Sequence, residues 1–250
     1  MTNGKTYVLA GNESPQKTSI LIENLLWRQS VKKGNPLFIE TSLPAVFSSG
    51  RREKLKDRPA FHYEWYPDGG VMKIPLEKLL KEAPHIDKQT VRLEQEKFSG
   101  FVSYAELNEE ALPLLRAADA VIFVVKEDAY AAGFLYNAVA FLRENKIPAG
   151  LGVIISGVRF AEEAAAFYNK LCAELEKLLG EAGACRFLGF FTLDMPRVTH
   201  AIALAQPVIK LFPQSGFHGM IKYVDELLEK LPPLDDGTPL FEALAAGQHG

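Results

Sequence analysis

The run Ala120-Val121-Ile122-Phe123-Val124-Val125 sets six apolar residues in a row, with no polar position to face water. A strand of that kind must be covered on both faces, as happens in a parallel sheet held between two layers of helix. Thr6-Tyr7-Val8-Leu9-Ala10 and Leu151-Gly152-Val153-Ile154-Ile155 have the same character. Leu37-Phe38-Ile39, Phe101-Val102-Ser103 and Phe187-Leu188-Gly189-Phe190-Phe191 extend the series. Between these runs the apolar spacing becomes helical. Over 17–31, Ile20, Leu21, Leu25 and Leu26 fall on one face, and helices are expected over 107–117, 129–144, 160–179, 196–205 and 217–230. Short buried strands separated by helices predict an α/β fold with a mostly parallel central sheet and helices on both faces.

The 250 residues, 48% of them hydrophobic, suffice for one good core, and no repeat or linker divides them. The expected organisation is a single α/β domain over 1–232 and a short tail over 233–250, after Pro232-Pro233. Within the domain, 43–70 reads as an irregular insert, with prolines at 44, 59 and 67 and a Gly69-Gly70 pair. It carries the charge run Arg51-Arg52-Glu53-Lys54-Leu55-Lys56-Asp57-Arg58 and the aromatics Phe61, Tyr63, Trp65 and Tyr66. A short helix over 75–83 and a weak strand near 90–95 follow.

Composition removes several classes of function. Twenty-eight basic against thirty-one acidic residues, net −3, do not make a dedicated nucleic-acid binder. In 51–58 the excess is three positive charges, five basic less two acidic, which suits a charged surface loop better than a nucleic-acid groove. Cys172 and Cys185 cannot form a disulfide framework or a four-ligand zinc site and suit a reducing cytoplasm, the expected location. None of the histidines at 62, 85, 200, 218 and 249 has metal-ligand spacing. No apolar run reaches membrane-spanning length, and Met1-Thr2-Asn3-Gly4-Lys5 leads into strand-like residues without a secretory signal's apolar stretch. The end of the chain is acidic and interrupted by Gly237 and Pro239, so no membrane anchor is expected there. Its apolar Leu240, Phe241 and Leu244 suit docking on the body or on another subunit.

In an open parallel sheet the ligand crevice lies at the carboxyl ends of the strands, so the turn after the first strand is the first place to look. It reads Gly11-Asn12-Glu13-Ser14-Pro15-Gln16-Lys17-Thr18-Ser19. A phosphate-binding P-loop needs Gly-x4-Gly-Lys-Ser/Thr between a strand and a helix. This turn meets that pattern except at Gln16, which stands in place of the second glycine. The anion-binding candidates are therefore Gly11, Gln16, Lys17, Thr18 and Ser19, with Thr18 as the one candidate metal ligand.

From these residues the chain resembles the MinD/ParA group of deviant-Walker ATPases, a P-loop NTPase family. The resemblance extends to Ala117–Val125, to Ile154-Ile155-Ser156-Gly157-Val158-Arg159, to Gly189–Val198, and to Ala201–Val208 with Phe212-Pro213-Gln214-Ser215. It covers about 5–230 and leaves 43–100 unmatched. It implies the family's fold and, in a typical member, magnesium-dependent ATP hydrolysis.

The family's chemical residues are replaced here. Its loop, Lys-Gly-Gly-x-Gly-Lys-Thr-Thr, becomes Asn12-Glu13-Ser14-Pro15-Gln16-Lys17-Thr18-Ser19. The aspartate at the end of the second strand falls at Glu40 and a nearby one at Ser42. The switch aspartate falls near Val102, and the adenine-reading asparagine at Ser156. Glycines let a backbone wrap phosphate oxygens, and Pro15 removes an N–H donor. A Glu13 carboxylate about 4 Å from a phosphate charge costs roughly 4 kcal/mol at an effective dielectric near 20, close to a thousandfold in affinity.

Two main readings stand at this point, with nucleic-acid binding through 51–66 a third and weaker one. In the first, the protein is a non-hydrolysing regulatory or scaffolding member of this group, with a degenerate P-loop. Its partners are proteins, among them an ATPase relative or itself; nucleic acid is not expected. In the second, it is an active ATPase with a remodelled loop, ATP and magnesium its cofactors. Lys17 then holds phosphate, Thr18 and Glu40 organise the metal, and Lys17 and Glu40 are the catalytic candidates.

Overall fold

The computed structural model describes residues 6–33, 36–40, 52–55, 58–66, 69–75, 100–179, 185–228 and 230, with side chains at 6–31, 105–179, 185–228 and 230. The strands are β1 (Thr6–Gly11), β2 (Pro36–Glu40), β3 (Arg52–Leu55), β4 (Arg58–Tyr66), β5 (Gly69–Pro75), β6 (Gly100–Tyr104), β7 (Ala120–Lys126), β8 (Gly150–Ser156) and β9 (Cys185–Phe191). The helices are α1 (Pro15–Lys33), α2 (Leu112–Ala117, entered through a 3-10 turn at Glu109–Ala111), α3 (Ala131–Glu144) and α4 (Ala161–Leu179). They continue with α5 (Met195–Ala203), the short α6 (Val208–Leu211) and α7 (Gly216–Leu228).

The nine strands among the described residues form one sheet in the order β3-β4-β5-β2-β6-β1-β7-β8-β9. Every pair from β5 to β9 is parallel, whereas β3/β4 and β4/β5 are antiparallel. β1 is therefore central, paired to β6 on one side and β7 on the other, which places the turn after it at the middle of the carboxyl edge.

Strand periodicity divides the core. Val8, Ala10, Val121, Phe123 and Val125 point to one face, where Leu114 of α2, Leu135 of α3 and Leu171 of α4 cover them. Tyr7, Leu9, Ile122 and Val124 point to the other, against Ile20 and Leu25 of α1, Val198 of α5, Ile209 of α6 and Val224 of α7. Each residue of the Ala120–Val125 run is buried by one layer or the other, as a doubly covered strand requires.

Two polar contacts tie α1 into its layer. The fully buried Asn24 donates from Nδ2 to the Ile20 carbonyl at 2.6 Å and accepts at Oδ1 from the Ile209 N–H at 3.0 Å, so one amide satisfies backbone on two helices. Arg28 Nε donates to Asp225 Oδ2 at 3.2 Å, joining α1 to α7.

The irregular reading of 43–70 needs correction within its described part, because 52–55, 58–66 and 69–75 are strands. Phe61-His62-Tyr63-Glu64-Trp65 alternates aromatic with polar residues, the period of a strand, and aromatics favour that conformation. Prolines and glycines beside it mark the ends of strands rather than an absence of them. Apart from Pro75, which ends β5, the helix expected over 75–83 lies outside the described residues, as do the weak strand near 90–95 and the tail over 233–250.

Replacing Asn24 by Leu strands the Ile209 N–H in an apolar layer, and an unsatisfied buried donor costs about 1–3 kcal/mol. The urea midpoint of Asn24→Leu is expected to fall accordingly; an unchanged midpoint would contradict the bridging role.

Candidate functional site

The turn between β1 and α1 is built from its own polar groups. Ser14 is the N-cap of α1: its Oγ accepts from the Lys17 N–H at 3.5 Å, and its carbonyl accepts the Thr18 N–H at 3.1 Å. Pro15 follows at the first helical position, where a missing N–H is no loss. At the other end of the turn, Asn12 Oδ1 accepts from the Lys126 N–H at 2.8 Å, pinning the loop to the end of β7.

Glu13 lies between these anchors, and its carboxylate turns inward and is buried. Oε1 accepts from the Ser14 N–H at 2.7 Å. Oε2 accepts from the Ser156 hydroxyl at the end of β8 and from Lys17 Nζ at 3.3 Å. Burial raises the carboxyl pKa, but the hydrogen bonds from Ser156 and Ser14 and the charge of Lys17 outweigh it and hold the group below its usual 4.5. Glu13 is thus ionised at neutral pH, inside the loop, with three donors around it.

The other candidates take up places around this carboxylate. Lys17 is half-buried, its side chain 40% exposed, and is paired to Glu13. Gln16 is exposed. Thr18 is fully buried and donates from Oγ1 to the Ser14 carbonyl at 3.1 Å. Ser19 is buried, and its hydroxyl has no partner among the described residues. Gly11 serves packing: a Cβ there would lie 2.2 Å from the Val124 carbonyl oxygen of β7. Glu40 ends β2, beside Pro75 of β5, and one strand, β6, lies between β2 and β1. Val102 sits within β6, paired with Tyr7 and Phe38, not at the carboxyl rim. The β6 residues that reach the rim are followed by Ala105 and Glu106, which line a cavity of about 310 Å³ with Gly11 and Asn137. Ser42 lies outside the described residues.

Ser156 is the residue whose role sequence reasoning missed: it holds a carboxylate. Its partner lies 143 positions away in the chain, and only the β1-β7-β8 order brings them together. No cluster of His, Cys, Asp and Glu able to hold a metal exists among the described residues. Cys172 and Cys185 are free and buried. Burial pushes both thiols up, Cys185 to about 12, so neither is activated.

No protein-family model and no curated protein sequence matches the chain. Solved structures do. The ParA family ATPase of Chlorobium tepidum superposes at TM-score 0.64 and 14% identity, over 91% of this chain and 99% of that one. MinD of Aquifex aeolicus, a cell division protein, superposes at 0.64 and 13%, over 93% and 100%. The fold is MinD/ParA-like. A variant of Cyanothece McdA in complex with ATP gives 0.63 and 14%, over 94% and 100%. ParA of pNOB8 bound to nonspecific DNA gives 0.56 and 15%, over 91% and 99%. Among the described residues, no helix is long and apolar enough to cross a membrane.

Two outcomes test this geometry. Because Glu13 is more acidic folded than unfolded, its contribution to stability is present above the unfolded pKa and is lost as pH falls through the lowered folded value. Glu13→Gln should therefore flatten the acid limb of stability measured by urea unfolding between about pH 7 and pH 3. A limb as steep as the parent's would contradict it. Gly11→Ala should destabilise by about 1–3 kcal/mol, since either β1 or the Val124 peptide must shift. Thermal unfolding with and without phosphate would show that loss to be independent of any anion.

Proposed function

We propose that this protein is a non-hydrolysing member of the MinD/ParA-like fold, working as a regulatory or scaffolding protein through contacts with other proteins. The observation that carries the reading is the Glu13 carboxylate, which already occupies the donors a P-loop turns toward phosphate. Lys17 Nζ is paired to it, and the Ser14 N–H points at it. The Lys17 and Thr18 N–H groups are taken by Ser14, and Pro15 has none to offer. The buried Thr18 hydroxyl is turned to the loop backbone, not to a metal.

The residues present do not fit a magnesium-bound triphosphate. To enter, a phosphate would have to displace an anion held by three donors, or sit beside it. At an effective dielectric near 20 the second course costs roughly 4 kcal/mol per charge pair at about 4 Å. The whole domain over 1–232 is taken as the binding unit, and Gly11, Gln16, Lys17, Thr18 and Ser19 as structural remnants of a phosphate loop.

A protein partner, an ATPase of the same fold or a second copy, accords with MinD of Aquifex aeolicus, which is also known in a complex with MinC. The near-neutral charge supports the preference for protein over nucleic acid. The pNOB8 neighbour on nonspecific DNA makes a gel-shift at low salt the necessary companion test. A salt-sensitive shift lost on replacing Arg51, Arg52 and Arg58 would overturn that preference.

Calorimetry with MgATP is expected to give no binding tighter than about 1 mM for the parent chain. Glu13→Ala, which frees Lys17 and removes the repulsion, should gain roughly tenfold or more in affinity. Micromolar binding by the parent chain, with phosphate release abolished by Lys17→Ala, would establish the active ATPase instead.

A further inference from the structure

We infer that the chain's own C-terminal segment, through Leu240, Phe241 and Leu244, docks in an apolar groove along the β9 edge of the sheet. The groove is a cavity of about 530 Å³ lined by β9, by Thr192, Leu193 and Asp194 that follow it, and by α7; none of its lining residues belongs to the Glu13 turn. Its floor is Phe187, Gly189 and Phe190 of β9, and its wall is Phe217, Met220 and Tyr223 of α7. β9 is the last strand of the sheet among the described residues, so no described strand covers this side of it. Gly189, at φ 129°, adopts a conformation that L side chains rarely take, and Tyr223 and Val224 of α7 lie 3.8 and 3.9 Å from where a Cβ would stand, so the helix packs directly over the strand there. Apolar side chains in and beside the groove reach solvent. Tyr223 is 54% exposed, and Phe160 and Met195, each next in sequence to a lining residue, are 61% and 50% exposed. Such a patch is the mark of an interaction surface.

Reach and charge select the occupant. The Arg186 side chain at the start of β9 donates to the Lys230 carbonyl at 3.5 Å, so the chain leaves α7 beside the groove. From Lys230, ten residues lead to Leu240 and span up to about 33 Å when extended. The farthest part of the wall, Gly216, lies fourteen residues back along α7, about 21 Å at helical rise. After Lys230 the chain has no Lys or Arg but carries Asp235, Asp236 and Glu242. The lining holds Arg159 and Arg197 against the single acid Asp194, which pairs with Arg197 at 3.2 Å. Arg186 and Lys222 are next in sequence to the lining residues Phe187 and Tyr223, and the acid Glu162 is next to Ala161, so the balance is four basic against two acidic residues. An acidic segment bearing three large apolar residues complements a basic-rimmed apolar groove within reach of its own attachment point. Because the segment is tethered, it competes at an effective concentration no free partner matches.

Hydrogen exchange on the full chain tests this, comparing the parent with Leu240→Asp/Phe241→Asp and with Asp235→Lys/Asp236→Lys. Amides of 187–193 and 216–224 should exchange roughly tenfold faster in the first variant, and to a lesser, salt-sensitive degree in the second. Exchange in β1 and β7 should be unchanged, and light scattering should give the same mass for all three proteins. Equal exchange in parent and variants would overturn the proposal. So would protection that rises with protein concentration together with a doubled mass, which assigns the groove to a second copy, or protection conferred by ATP and indifferent to the tail, which assigns it to a nucleotide base.

Discussion

The bond between the Glu13 carboxylate and the Ser156 hydroxyl joins the first turn of the sheet to the end of a strand two places away. Much of the carboxyl edge is arranged around it. Lys17 leans back toward it from the first turn of α1, the Ser14 N–H turns into it, and Asn12 holds the preceding residue against β7. A buried charge is tolerable only when its lone pairs are met, and here three donors meet them. The loop thereby satisfies within one chain the electrostatic demand that a phosphate loop leaves for its ligand.

This changes what a retained motif residue means. Gly11 is kept because the Val124 carbonyl allows no Cβ, and Lys17 has a carboxylate to neutralise. Thr18 closes the first turn of α1 through the Ser14 carbonyl. Each has a structural partner within the turn or the sheet. The same spacing of Gly, Lys and Thr can therefore persist in a turn whose anion is a side chain.

The layered architecture was legible because burial on both faces leaves an unbroken apolar run, and Ala120–Val125 distributes itself between the two helix layers residue by residue. The helical face of Ile20, Leu21, Leu25 and Leu26 was legible for the same reason. The strands at 52–75 were not, because their prolines and glycines were weighed above the alternation at Phe61, Tyr63 and Trp65. At the site, Glu13 could be read as an obstacle to phosphate from its position in the loop. Its three donors could not be read in full: Ser14 and Lys17 are local, but Ser156 joins only through the order of strands. The place of Val102 was missed because family spacing was counted without a register, and the register puts Ala105 and Glu106 at the rim.

The far edge of the sheet has its own consequence. Among the described residues, β3 closes that side with Arg52-Glu53-Lys54-Leu55, three charged residues in four, and pairs with β4 alone. A strand in that position offers a row of unpaired backbone donors and acceptors to any other chain, and nine strands side by side make a long template for such growth. Charges of both signs on a four-residue strand make the addition of another strand costly. The described part of the charge run, Arg52-Glu53-Lys54, first read as a charged surface loop, can thus be understood as the terminus of the described sheet, where its charges oppose aggregation.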